Sequence, residues 1–208
     1  GRLYEKMGRD TDALAAYEKA LLIRRDTVGR MDPLYADTLE QIAGLFTAKG
    51  AYEAAAEYLQ EALYIRREAE TGTDRDLVGG LQLLADVKQK AGEGQAAAAL
   101  CREAIELLEK HFSKNPPEYA IGLAKLGEIL AREKQYDEAI QILTESAAIQ
   151  KEMLDEDNPR YLKTLEYLAE VCVRKGDYAV AVQHYLALND ANYEETAEDK
   201  QRAAETLL

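Results

Sequence analysis

Apolar residues recur along this chain at steps of three and four, the spacing of one face of a helix. Leu39, Ile42, Leu45 and Phe46 form one such stripe, and Ala55, Leu59, Ala62 and Ile65 form the next. Gly50 stands between them, and glycine readily takes the left-handed conformation that ends a helix. Asp32-Pro33 and Asn158-Pro159 each pair an N-cap residue with proline at the first helical position. The pattern predicts helices over 2–7, 11–28, 33–49, 53–70, 76–91, 95–112, 117–133, 137–153, 160–175 and 179–190.

The helices come in a fixed period. ALLIRRD at 20–26 and ALYIRRE at 62–68 lie 42 residues apart. Gly8, Gly50, Gly92 and Gly176 fall on the same period, with Lys134 in the remaining slot. Further columns follow: Ala13, Ala55, Ala97, Ala139 and Ala181; Tyr17, Leu59, Cys101, Leu143 and Tyr185; Ile42, Leu84, Leu126 and Leu168. No insertion interrupts them. Each unit therefore reads as a helix, a short turn and a second helix. The alanine columns mark close helix contacts that a larger side chain would overpack.

Gly50-Ala51-Tyr52 followed by Ala55 and Ala62, and Gly176-Asp177-Tyr178 followed by Ala181, resemble the tetratricopeptide repeat. The period is longer than that family's usual ~34 residues and resembles the variant in kinesin light chains and nephrocystin-like proteins. DTLEQIAGLF at 37–46 resembles that variant's first helix, and ALYIRR at 62–67 its second. The resemblance implies an all-α fold, a right-handed α-solenoid of antiparallel helix pairs. It divides the chain into an array over 1–190, with a partial repeat at 1–31 and repeats at 32–73, 74–115, 116–157 and 158–190. Residues 191–208 are expected to form a C-terminal capping helix or the start of a continuation. The additional residues of each unit are placed at the end of its second helix, as about two turns. The opening GRLYEKMG reads as mid-helix, so a fragment of a longer protein is expected.

In this family the first helix of each repeat lines a concave groove that binds peptides. Carried over position by position, one groove column is Gln41, Leu83, Lys125 and Tyr167. A second is Gly44, Asp86, Glu128 and Glu170, and a third is Ala48, Lys90, Arg132 and Arg174, preceded by Lys6. Gln82 and Lys163 are included beside the first column. The kinesin-type repeats carry asparagine in the first column, and none stands here. The clamp that chaperone-binding repeats use for a C-terminal carboxylate would be opposed by Asp86, Glu128 and Glu170. Those acids suit a basic or polar peptide. Each also precedes a base by four residues, the favoured order for a helix-surface ion pair, so they equally suit a solvated face.

Charge narrows the partners. Twenty-six basic and thirty-nine acidic residues leave a net charge of −13, which argues against nucleic acid or an anionic membrane. The two arginine pairs, Arg24-Arg25 and Arg66-Arg67, do not continue, because the next repeats carry Leu108-Glu109 and Gln150-Lys151. They are read as positive charge near helix ends, away from the groove, offsetting the helix dipole. Two cysteines and no CxxC make a reducing compartment, the cytoplasm, the expected location. No apolar run is long enough to span a membrane.

No constellation of catalytic or metal-ligating residues emerges. Cys101 and Cys172 occupy packing columns, where a free cysteine behaves as a small hydrophobe. His111 and His184 have no partner motif. Asp155-Glu156-Asp157-Asn158 begins like a calcium loop, but Arg160 stands where such a loop needs glycine. Gly92-Glu93-Gly94 is an inter-helix turn rather than a phosphate loop. The tyrosines fall mostly in packing columns, among them Tyr35, Tyr119 and Tyr161. Gly79-Gly80 inside a first helix marks 74–115 as a candidate soft repeat, or a place where glycine admits a close neighbour.

The expected function is a non-catalytic scaffold that binds a protein or peptide segment in the groove, with no cofactor. Two alternatives remain at this stage: a regulatory or sensory peptide-binding module of a larger signalling protein, and a self-assembly module with an undetermined oligomeric state.

Overall fold

The computed structural model describes residues 1–69, 74–111, 117–154 and 158–194. Their helices are α1 (Arg2–Lys6), α2 (Asp10–Thr27), α3 (Pro33–Ala48), α4 (Tyr52–Glu68) and α5 (Asp74–Lys90), followed by α6 (Gly94–His111), α7 (Pro117–Arg132), α8 (Tyr136–Met153), α9 (Pro159–Lys175) and α10 (Tyr178–Glu194). The bounds lie within two residues of the sequence expectation, except that α10 runs to Glu194 rather than 190. The Asp155–Asp157 part of the acidic run, the His111 side chain and residues 195–208 of the predicted tail lie outside the described residues.

The chain forms two compact units, Gly1–Leu107 and Leu108–Leu208. In the first, α1 packs on α2, α2 on α3, α3 on α4 and α4 on α5. In the second, α7 packs on α8, α8 on α9 and α9 on α10, and α7 also touches α9. The helix boundaries follow from the caps. Asp32 accepts a hydrogen bond from the Leu34 amide at 2.8 Å, and Asn158 accepts one from Arg160 at 3.0 Å, so α3 and α9 start on a satisfied N-cap and a proline. Gly50 and Gly176 end those helices at φ 75° and 95°. Lys134 takes the same left-handed turn at φ 61° without the freedom of glycine, a conformation that costs an ordinary residue about 1–2 kcal/mol.

The repeat columns are the core. Ala13, Ala55, Ala97 and Ala139 are completely buried, as are Ile42, Leu143 and Cys172. Tyr35, Tyr119 and Tyr161 are buried too, and the Tyr119 hydroxyl lies 2.8 Å from Glu109 and 3.1 Å from Glu145. Gly127 stands where other repeats have Ala43, Ala85 and Ala169. A methyl there would come 2.5 Å from the Leu143 Cγ, so glycine lets that leucine approach more closely. Gly80 likewise faces a near neighbour, with Leu63 Cδ2 3.2 Å from a would-be Cβ, whereas Gly79 borders open space.

Candidate functional site

The predicted groove residues all lie on first helices. Gln41 is on α3; Gln82, Leu83, Asp86 and Lys90 are on α5; Lys125, Glu128 and Arg132 are on α7; Lys163, Tyr167, Glu170 and Arg174 are on α9. In the second unit several of them come together. The Arg132 guanidinium donates to Glu128 at 2.7 Å, and that of Arg174 to Glu170 at 3.3 Å. The Lys163 ammonium lies 5.6 Å from the Tyr167 ring centroid. Burial raises the Tyr167 pKa, the carboxylate of Glu128 raises it further, and Arg132 opposes the shift. The cluster is thus a half-buried aromatic ring bordered by two carboxylates, each paired to an exposed arginine one turn along. Such surface pairs contribute about 0.2–0.5 kcal/mol each, so they add little to the stability of the unit.

The first unit arranges its groove residues differently. Gln41 is not an open position, because its carbonyl oxygen accepts from Arg2 Nε at 3.2 Å and lies 3.4 Å from the Tyr17 hydroxyl. Leu83 on α5 is 43% exposed, an apolar side chain turned to solvent.

The arginine pairs stand in the last turns of α2 and α4, as expected, but one member of each does more than offset a helix dipole. Arg66 is buried, its side chain 7% exposed, and it bridges Asp37 and Glu40 of α3 at 2.8 Å each. Arg24 donates to the Leu34 carbonyl and, at 2.7 Å, to the Thr38 hydroxyl, also on α3. Both therefore tie a second helix to α3, and Arg24 borders Gln41 in one cleft. Only Arg25 and Arg67 are exposed, paired with Asp26 and Glu103. The sequence signal was the matched position of Arg24 and Arg66. Their acceptors became visible only with α3 in place.

Both cysteines are buried, and burial raises the Cys172 thiol pKa. Among the described residues no group of three or more His, Cys, Asp or Glu could hold a metal ion, and no helix is long and apolar enough to cross a membrane.

Helix pairs stacked in sequence order, with first helices meeting across a second one, define a helical-repeat α-solenoid. A family model for the tetratricopeptide repeat matches residues 1–68, 78–152 and 118–187, and the chain belongs to that family. No curated protein sequence matches it. Among solved structures, it resembles the kinesin light chain nearly identical TPR-like repeats of Podosopora anserina, at 20% identity over 94% of this chain and 93% of that one, with a TM-score of 0.80. It also resembles BtubC (BKLC) from P. vanneervenii, at 21% identity over 94% of this chain and 78% of that one, with a TM-score of 0.81. A third is YrrB, a TPR protein with an unusual peptide-binding site, at 17% identity over 98% and 88%, with a TM-score of 0.62. Likeness at these identities speaks for the fold.

Proposed function

We propose that this protein is a non-catalytic scaffold that binds a basic or polar peptide segment on its first-helix surfaces. The observation that carries the proposal is the α7–α9 cluster, where the half-buried Tyr167 stands beside the carboxylates of Glu128 and Glu170. A lysine or arginine of the ligand takes over one carboxylate while the exposed Arg132 or Arg174 swings into water. YrrB, a fold neighbour described as peptide-binding, supports this use of the fold.

The test is E128K/E170K, with anisotropy of labelled basic, neutral and acidic peptides measured alongside urea stability. Basic peptides should lose at least tenfold in affinity while the protein stays folded. Unchanged binding to a folded variant removes the acidic track.

A second reading, self-association, has its own observation. Tyr185 is 45% exposed on α10, although Leu59, Cys101 and Leu143 in the same column are buried. Tyr178, Val182 and Leu186 are exposed on the same helix. Concentration-dependent light scattering that Y185D/L186D abolishes would favour this reading.

A further inference from the structure

In the second unit the column of Arg66 is held on α8 by Gln150. Ser146, one turn earlier on α8, donates to the Ala120 carbonyl of α7 at 2.7 Å. That contact sets Gln150 against the same helix, and the residue is only 3% exposed. In the earlier repeat, Arg66 meets Asp37 and Glu40 from this position. Two periods on, Ile121 and Ala124 stand in place of those acids and offer a polar head no partner. The Gln150 Oε1 is accordingly buried without a hydrogen-bond partner among the described residues, a costly state for an acceptor. Leu108, in the same column, is buried without any such need. Gln150 lines a notch between the start of α7, the end of α8 and the start of α9, together with Pro117, Ile121, Met153, Leu154 and Arg160. Its enclosed part measures about 10 Å³, room for one water-sized group. Met153, 41% exposed, and the exposed Arg160 form the rim.

We propose that this notch is an anchor site for a tyrosine side chain of another polypeptide. It shares no residue with the cluster of Glu128, Tyr167 and Glu170, so it is a second contact surface beyond the first-helix reading. The lining selects the ligand. The enclosed volume takes a single polar atom, and the Gln150 oxygen requires that atom to donate. A carboxylate only accepts and leaves that oxygen unpaired. An ammonium is opposed by Arg160 and finds no carboxylate in the lining. A serine hydroxyl has no apolar shaft to cover Ile121 and Met153. An indole N–H donates, but from the side of a fused ring too wide for the enclosed part. A phenol hydroxyl donates to Gln150 Oε1 from the tip of a flat apolar ring. That ring then lies against the Met153 thioether and the Arg160 guanidinium, both of which favour aromatic contact.

The probes are N-acetyl-tyrosinamide and N-acetyl-phenylalaninamide, which differ only in the hydroxyl, titrated into the whole 208-residue chain with NMR shifts locating each. The tyrosine amide should bind saturably, with shifts centred on the Ile121 and Met153 methyls. It should bind about fivefold more tightly than the phenylalanine amide, the effect of one net hydrogen bond. Gln150→Leu, which copies Leu108, should bring the two affinities together. Arg160→Glu, at an exposed helix start that favours acids, leaves the fold intact and should weaken both amides roughly threefold. E128K/E170K should bind both as the wild type does, so a failure of the first-helix reading leaves this site standing. Equal affinity of the wild type for the two amides overturns the proposal, as does a tyrosine preference that survives Gln150→Leu. An absence of saturable binding also overturns it and leaves Gln150 to water. Loss of binding in E128K/E170K assigns the tyrosine to the first-helix groove and overturns it too.

Discussion

Replacing Arg66 by leucine, the residue that the following repeat carries at Leu108, separates packing from charge at the α3–α4 contact. The aliphatic stem of Arg66 is already buried, so leucine retains most of the apolar contact. What disappears is a pair of 2.8 Å charge-assisted hydrogen bonds. Asp37 is half exposed, and water takes up its loss, so its share is below about 1 kcal/mol. Glu40 is only 13% exposed, and leaving it without a partner costs about 2 kcal/mol. The expected net destabilisation is about 2 kcal/mol, read as a lowered urea midpoint at unchanged slope. Glu40→Gln, which copies Gln82 of the next repeat, removes the stranded charge. The double variant should therefore fall short of additivity by about 1–2 kcal/mol. An R66L midpoint at or above wild type, with no coupling to Glu40, would refute the reasoning. It would mean that desolvating the guanidinium cancels the bridge.

Three further outcomes are expected. Lys134→Gly should stabilise the protein by about 0.5–1 kcal/mol, since relief of the left-handed strain exceeds the extra unfolded-state entropy of glycine; thermal melts check it. Gly127→Ala should destabilise by about 1 kcal/mol, because displacing Leu143 costs more than the ~1 kcal/mol of helix propensity gained; the same melts test the sign. Burial holds the His184 pKa below its ordinary value, so the neutral imidazole is favoured in the fold. Its contribution is complete above the unfolded-state value of about 6.5 and is lost as pH falls through the depressed folded pKa. The stability–pH slope below neutrality should flatten in His184→Gln, as measured by urea titration across that window.

The sequence by itself determined the repeat. A strict period, alanine at the close contacts and glycine or Asp-Pro at the helix ends are local signals, and the helices formed where those signals put them. The first-helix residues were legible for the same reason: a helix of known register fixes which side chains share a face. The partners of those side chains were not legible, because they depend on which helix lies opposite. Arg24 and Arg66 stand in closely similar sequence contexts and are equivalent in register. Yet Arg66 meets Asp37 and Glu40, while Arg24 meets a carbonyl and a hydroxyl beside an open cleft. Gln41 shares a column with Tyr167, but α1 and α2 occupy it while Tyr167 lies among acids. Periodicity fixes what each helix presents. Only tertiary packing decides what it is presented to, because an ion pair or a cleft exists between elements and belongs to neither.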